Sequence, residues 1–169
     1  MSIPTAEREA LAGTDLRLVG DLLTAAQRER GEDLRTGPRP QLLEPGQPDP
    51  GHDLLPVTGW ENLEQALLLR FLTEVGELGH LGHPTYGSRL HELIGEPNTP
   101  TTRNRAKLYA LQALAEEPRV ERVATVTVTT DPRDPTRLEV RAAVVIIGTS
   151  TELNLVVGVP LSGIPGGAS

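Results

Sequence analysis

The chain has 169 residues, a formal net charge of -7 and no cysteine. These values fit one domain of ordinary size and exclude disulfides and thiolate chemistry. They also argue against a nucleic-acid binder, which needs a basic face to displace phosphate counterions. With one Trp, two Tyr and one Phe, the core has to be built from Leu, Val, Ile and Ala.

Met1 to Ala12 is polar and carries Glu7, Arg8 and Glu9 where a signal peptide needs an apolar run. No apolar stretch reaches the ~18 residues of a membrane span. A soluble protein that stays in the cytoplasm unless carried elsewhere in an assembly is therefore expected, with no membrane insertion. Residues 1–36 read as an N-terminal segment with a short strand at Asp15 to Val19 and a short helix at Leu22 to Arg30. Five prolines between Gly37 and Gly51 prevent a helix or a central strand, so residues 37–56 read as a Pro-rich insertion or surface loop.

Thr58-Gly59-Trp60-Glu61 has capping-box spacing and opens a helix that runs to about Thr73. Trp60, Leu63, Leu67 and Phe71 share one face, and Leu68, Leu69 and Leu72 spread apolar surface around the cylinder, as expected of a helix buried on more than one side. Gly76, Gly79, Gly82 and Pro84 then force a turn-rich connection. Ser88 is a candidate N-cap for a short helix ending at Gly95. Thr99-Pro100 opens a third helix to Glu117, with Leu108, Leu111, Leu114 and Ala115 as its apolar stripe. Arg103, Arg105 and Lys107 occupy its first half, where the helix dipole disfavours cations.

At Glu117-Pro118-Arg119 the period changes from helical to two-residue. Pro118 stops the helix, and the charges on either side read as an exposed corner suited to docking. Three strands follow: Val120 to Thr130, one with Leu138, Val140, Ala142, Val144 and Ile146 on a single face, and one with Leu153, Leu155, Val157 and Val159 inward. The expected fold is α+β: about three helices packed on a small, mainly antiparallel sheet, with a meander at the C-terminus. Residues 57–160 form the expected domain and 161–169 a flexible tail.

The block from Asn62-Leu63 through Leu67-Leu68-Leu69-Arg70, with Leu72-Thr73, Gly76-Glu77, Pro84, Tyr86-Gly87-Ser88 and Leu90, resembles the small baseplate wedge proteins of contractile tails. These occur in myophages, type VI secretion baseplates and extracellular contractile injection systems. Glu117-Pro118-Arg119 is similar to the Glu-Pro-Arg tripeptide of that family, in the same place between helix and sheet. The resemblance covers roughly Val57 to Pro160, and the Pro-rich insertion departs from it.

The resemblance implies a structural wedge subunit and sheath initiator present in several copies of a symmetric assembly. Glu117, Pro118 and Arg119 would dock on the wedge's core helical bundle. Glu152, Leu153, Asn154, Leu155, Val156 and Val157 would accept strands from the first ring of sheath protein. Other wedge subunits and hub or tube components are further expected partners. No catalytic residue, cofactor or nucleic-acid partner is expected.

The alternative is a peptidoglycan-cleaving enzyme, since members of this family have sometimes been labelled lysozyme-like. A glycosidase needs two carboxyl groups about 5–9.5 Å apart, one with a raised pKa. Glu77, Glu92 and Glu96 are the candidates, but few aromatic rings are available to stack a sugar. His80 and His83 lack a convincing third ligand, so no metal is expected.

Overall fold

The computed structural model describes residues 12–18, 34–38, 52–150 and 152–161. Within them lie α-helices of 14 and 16 residues, α1 (Gly59–Leu72) and α2 (Pro100–Ala115). Seven strands form three antiparallel sheets. The class is mixed α+β. The expectation of about three helices on one small sheet is corrected on both counts. The segment after Ser88 forms a four-residue 3-10 turn, Leu90–Leu93, and two further sheets are built from the N-terminal half.

The main sheet has the order β5-β6-β7, with β5 at Val120–Asp131, β6 at Asp134–Ile146 and β7 at Glu152–Pro160. Alternating hydrophobicity decides which face turns inward. Leu138, Val140, Ala142, Val144 and Ile146 of β6 are all buried, as are Leu155, Val157 and Val159 of β7. Against this face pack Leu63, Leu67 and Phe71 of α1, and Ala106, Tyr109, Ala110, Ala113 and Leu114 of α2.

The buried face of α2 differs from the expected stripe. Leu108 is 51% exposed and Ala115 is exposed, while three alanines face the sheet. Short side chains let the helix axis come close to the strands, so the face with the most alanine becomes the core face. Trp60 is likewise 38% exposed, although the expected stripe of α1 included it. The arginines of α2 have partners within the chain: Arg103 donates to Asn98 Oδ1 at 2.7 Å, and Arg105 pairs with Glu96.

The N-terminal segments assemble around the start of α1. Strand β1 (Thr14–Leu16) pairs with β4 (Pro56–Thr58), and β2 (Thr36–Pro38) pairs with β3 (His52–Leu54). Strand β1 thus lies within the expected N-terminal segment, but is shifted from Asp15 to Val19. The proposed helix at Leu22 to Arg30 lies outside the described residues, as do residues 39–51 of the Pro-rich stretch and 162–169 of the tail. A closed ring of backbone bonds joins the two small sheets: Arg17 N to Leu55 O at 2.7 Å, Leu55 N to Arg35 O at 2.9 Å, and Arg35 N to Arg17 O at 2.8 Å.

This arrangement also replaces the expected capping box. Thr58 makes no side-chain cap, because it ends β4, and Glu61 turns to Arg17 at 2.5 Å. The side-chain amide of Gln65 holds the segment further, donating to Leu16 O and accepting from Leu18 N, both at 2.9 Å.

The reassigned face of α2 predicts a contrast. Leu114→Ala should destabilise the fold by about 2–5 kcal/mol through cavity formation, and Leu108→Ala by less than about 1 kcal/mol. Urea unfolding monitored by circular dichroism checks both; equal losses would restore the stripe expected from sequence.

Candidate docking joint and sheet edge

Glu117, Pro118 and Arg119 form the turn between α2 and β5, closed by a bond from Val120 N to Glu117 O at 3.0 Å. Pro118 is exposed, but Glu117 is not the exposed charge expected from sequence: it retains only 5% exposure. The reason is Arg70, a buried cation on α1, whose Nη2 donates to Glu117 Oε2 at 3.2 Å. On the other oxygen, Glu117 Oε1 accepts from Arg119 Nε at 2.6 Å and from the Arg119 backbone N-H at 3.4 Å.

The joint reaches two other segments. Arg119 Nη1 donates to Ala12 O at 3.3 Å, and Asn62 Nδ2 donates to the same carbonyl at 2.7 Å. On the opposite side, the Arg70 guanidinium lies 4.5 Å from the centroid of the Tyr86 ring, a cation-π geometry. Residues from the N-terminal segment, α1, the connecting loop and the helix-to-sheet turn therefore meet around one carboxylate.

The electrostatics follow from this. Burial pushes the Glu117 carboxyl up, but the hydrogen bonds and charge of Arg119, supported by the charge of Arg70, outweigh it and hold the group below the usual carboxylate range. Burial raises the Tyr86 phenol, although Arg70 opposes the shift. Tyr86 thus stays a neutral ring beneath the cation.

The other motif residues, Gly76, Glu77, Pro84, Gly87 and Ser88, lie in the loop that returns to the end of α1. Ser88 Oγ donates to Phe71 O at 2.8 Å, Ser88 N to Thr73 O at 2.9 Å, and Val75 N to Ser88 O at 3.1 Å. Gly87 has φ of +114°, and an added Cβ there would lie 2.7 Å from the Glu74 carbonyl. Only glycine permits both that backbone angle and that approach. Gly76 lets the loop turn at φ of +90°, and the Glu77 carboxylate accepts from Glu74 N at 3.2 Å. Pro84 is exposed. The clamp holds Tyr86 under Arg70, so the motif supports the joint.

The six residues expected to accept sheath strands all lie in β7, at one edge of the main sheet. Leu155 and Val157 are buried, Leu153 is half-buried, and Glu152, Asn154 and Val156 are exposed. Among the described residues, the backbone of β7 pairs with β6, and the chain just beyond it is tied in by bonds from Leu161 N to Thr136 O at 2.8 Å and from Gly95 N to Leu161 O at 2.5 Å.

The three candidate catalytic carboxylates are placed differently. Arg89 holds Glu92 through two bonds, at 2.7 and 2.9 Å, and Tyr109 donates to it at 3.0 Å. The Arg89 hydrogen bond, against some desolvation and with help from Tyr109, keeps this carboxyl below its ordinary value. That is the reverse of what a general acid requires. Glu96 is paired with Arg105, and Glu77 serves the loop turn. A groove of about 380 Å³ between the loop and α2 has Glu116 as the single carboxylate in its described lining.

His80 Nδ1 lies 3.1 Å from Glu77 O, and His91 Nδ1 lies 3.1 Å from Ser88 O. Among the described residues no group of three His, Cys, Asp or Glu side chains could hold a metal ion. Sequence reasoning missed the roles of Arg70, Asn62 and Ala12. Arg70 carried a signal, since it shares the buried phase of the helix with Leu63 and Leu67; Ala12 carried none.

No protein-family model matches the chain, and no curated protein does. Solved structures that resemble it include a crystal structure from Geobacter sulfurreducens named as a candidate tail lysozyme. The identity is 24% and the TM-score 0.52, over 60% of this chain and 89% of the other. At that identity the likeness is one of fold.

The joint and clamp predict two stability effects. Because Glu117 has a depressed folded pKa, its stabilisation is present above the ordinary glutamate value, roughly 4.3, and is lost as pH falls through the lower folded value. Glu117→Gln should therefore cost about 3 kcal/mol at neutral pH by leaving Arg70 buried beside a neutral group, and the difference from wild type should shrink in acid. Thermal melts from pH 7 to 3 measure this, and a pH-independent difference would refute it. Gly87→Ala should cost about 3 kcal/mol through strain and overlap. Gly76→Ala, with nothing within 4 Å of its added Cβ, should cost about 1 kcal/mol, and urea midpoints separate the two.

Proposed function

We propose that this chain is a structural wedge subunit of a contractile-tail baseplate. It docks on the wedge core at the Glu117-Pro118-Arg119 joint and initiates the sheath by accepting strands along β7. The observation that carries this reading is the strand order, which leaves β7 at the sheet edge with Leu155, Val157 and Val159 already committed to the core. An incoming strand would find edge N-H and C=O groups for main-chain bonds, with Glu152, Asn154 and Val156 available for side-chain selection.

The likeness in fold to a structure named for a tail supports the tail assignment, and the clamp and joint give the motif residues a common structural purpose. The burial of Glu117 changes how docking would work. Its carboxylate is the internal counter-ion, so the surface offered to a partner consists of Pro118 and the outer edge of Arg119. The core helical bundle, other wedge subunits, the first sheath ring and hub or tube components are the partners proposed, in a particle assembled in the cytoplasm.

The enzymatic alternative rests on the name of the structural neighbour. The ionised, triply bonded Glu92 and a groove with one carboxylate among its described lining residues favour the structural role. Turbidity of a peptidoglycan suspension should stay constant with wild-type protein; clearance that Glu77→Gln abolishes would favour the enzyme.

Strand addition is tested by hydrogen exchange with and without the sheath protein encoded nearest to this gene. Edge-facing amides within Glu152–Pro160 should slow by about tenfold or more on binding, while α2 amides stay unchanged. Sheath binding without protection of β7 would reject the edge as the site.

A further inference from the structure

The joint holds two guanidinium groups and one buried carboxylate. Arg70 and Arg119 both bond to Glu117, so one positive charge is left over. Arg70 is 6% exposed, and among the described residues its Nε has no hydrogen-bond partner. Arg119 is the outer member, with its side chain 27% exposed. Its Nε-H serves Glu117 and one Nη1-H serves Ala12 O. Arginine has five N-H donors, so three remain without a partner among the described residues.

The nearby acidic groups among the described residues do not remove the surplus. Asp15, close enough to act on Tyr86, is exposed, and its carboxylate accepts from Leu16 N at 2.7 Å. Glu116 lies beside the joint in sequence and is exposed. Neither forms an ion pair with Arg70 or Arg119 among the described residues.

From this geometry we infer that the joint is a carboxylate receptor: a partner protein presents an acidic side chain to the outer edge of Arg119, while Glu117 and Arg70 act as positioning residues. The inference rests on the docking reading above and narrows it. Glu117 pins the Nε side of the fork and Ala12 O pins one terminal nitrogen, so less rotamer freedom is lost when the remaining donors bind. Arg70 supplies the charge that keeps the cluster positive after Glu117 has been neutralised. Bidentate contact between a guanidinium and a carboxylate is strong and directional. The chain as a whole is acidic, with a net charge of -7, and repels anions in general, so any acidic ligand that binds must find a local positive site.

A fluorescein-labelled helical peptide bearing glutamates on one face, with its glutamine counterpart as control, probes this on the full chain at low salt. The glutamate peptide should bind and the glutamine peptide should not. Arg119→Gln should weaken binding roughly tenfold or more. Arg119→Lys should recover part of it, because the charge returns without the fork. Arg70→Met, which keeps the Arg119–Glu117 pair and a similar volume, should weaken binding and flatten its salt dependence, with a thermal melt confirming the fold. Equal binding of the two peptides, or unchanged binding by Arg119→Gln or Arg70→Met, overturns the receptor. If the receptor stands but Arg119→Gln enters baseplates normally, the docking reading fails on its own; if Arg119→Gln is excluded from baseplates while the peptide never binds, the carboxylate assignment fails instead.

Discussion

A carboxylate removed from water needs compensating charge and hydrogen bonds, and at Glu117 both come from segments far apart in the chain. Arg70 reaches it from α1 and Arg119 from the turn that enters β5. Because the Arg70–Glu117 pair is buried, it fixes position more than it adds stability: removing Glu117 leaves Arg70 buried without a counter-charge, while the intact pair largely offsets its own desolvation. The end of α2, the entry to β5 and the last turn of α1 are thereby held in one arrangement. The Ala12 carbonyl, held by both Arg119 and Asn62, adds the N-terminal segment to it.

The loop clamp serves the same point. Ser88 closes the loop on the carbonyls of Phe71 and Thr73, and Gly87 allows backbone to meet backbone. Tyr86 then lies beneath Arg70. A glycine, a hydroxyl and an aromatic ring, adjacent in sequence, thus have three different physical purposes with one result. The main sheet inherits its placement from this joint, and the edge strand β7 lies on the far side of β6 from β5. The region proposed for wedge docking and the strand proposed for sheath addition therefore belong to one packed body, with β6 between them.

Much of the main sheet was legible because its signal is local. Alternation in β6 and β7 assigns inward and outward faces without knowledge of any partner strand, and Asp131-Pro132-Arg133-Asp134 marks the turn between β5 and β6. The two α-helices were legible, although the second ends at Ala115 and not at Glu117, and their orientation was less so. Leu108 looked like core by hydrophobicity, yet three alanines decided the packing by allowing closer approach. Of the short N-terminal strands only β1 was anticipated, with a shift; β2, β3 and β4 escaped because three-residue pairings such as Thr36–Pro38 with His52–Leu54 carry no period of their own.

The candidate site divides in the same way. Sequence by itself determined that Pro118 ends a helix and that a two-residue period follows, because both effects act through the local backbone. It also determined that Gly76, Gly79, Gly82 and Pro84 break the chain into turns after the first helix, for the same reason. Only the tertiary structure decided that Glu117 is an internal counter-ion, that Arg70 is its partner 47 residues away, and that Ala12 meets Arg119 across 107 residues. The charge of a residue is written in its side chain, but its burial depends on which distant segments surround it, and that is settled when the chain packs.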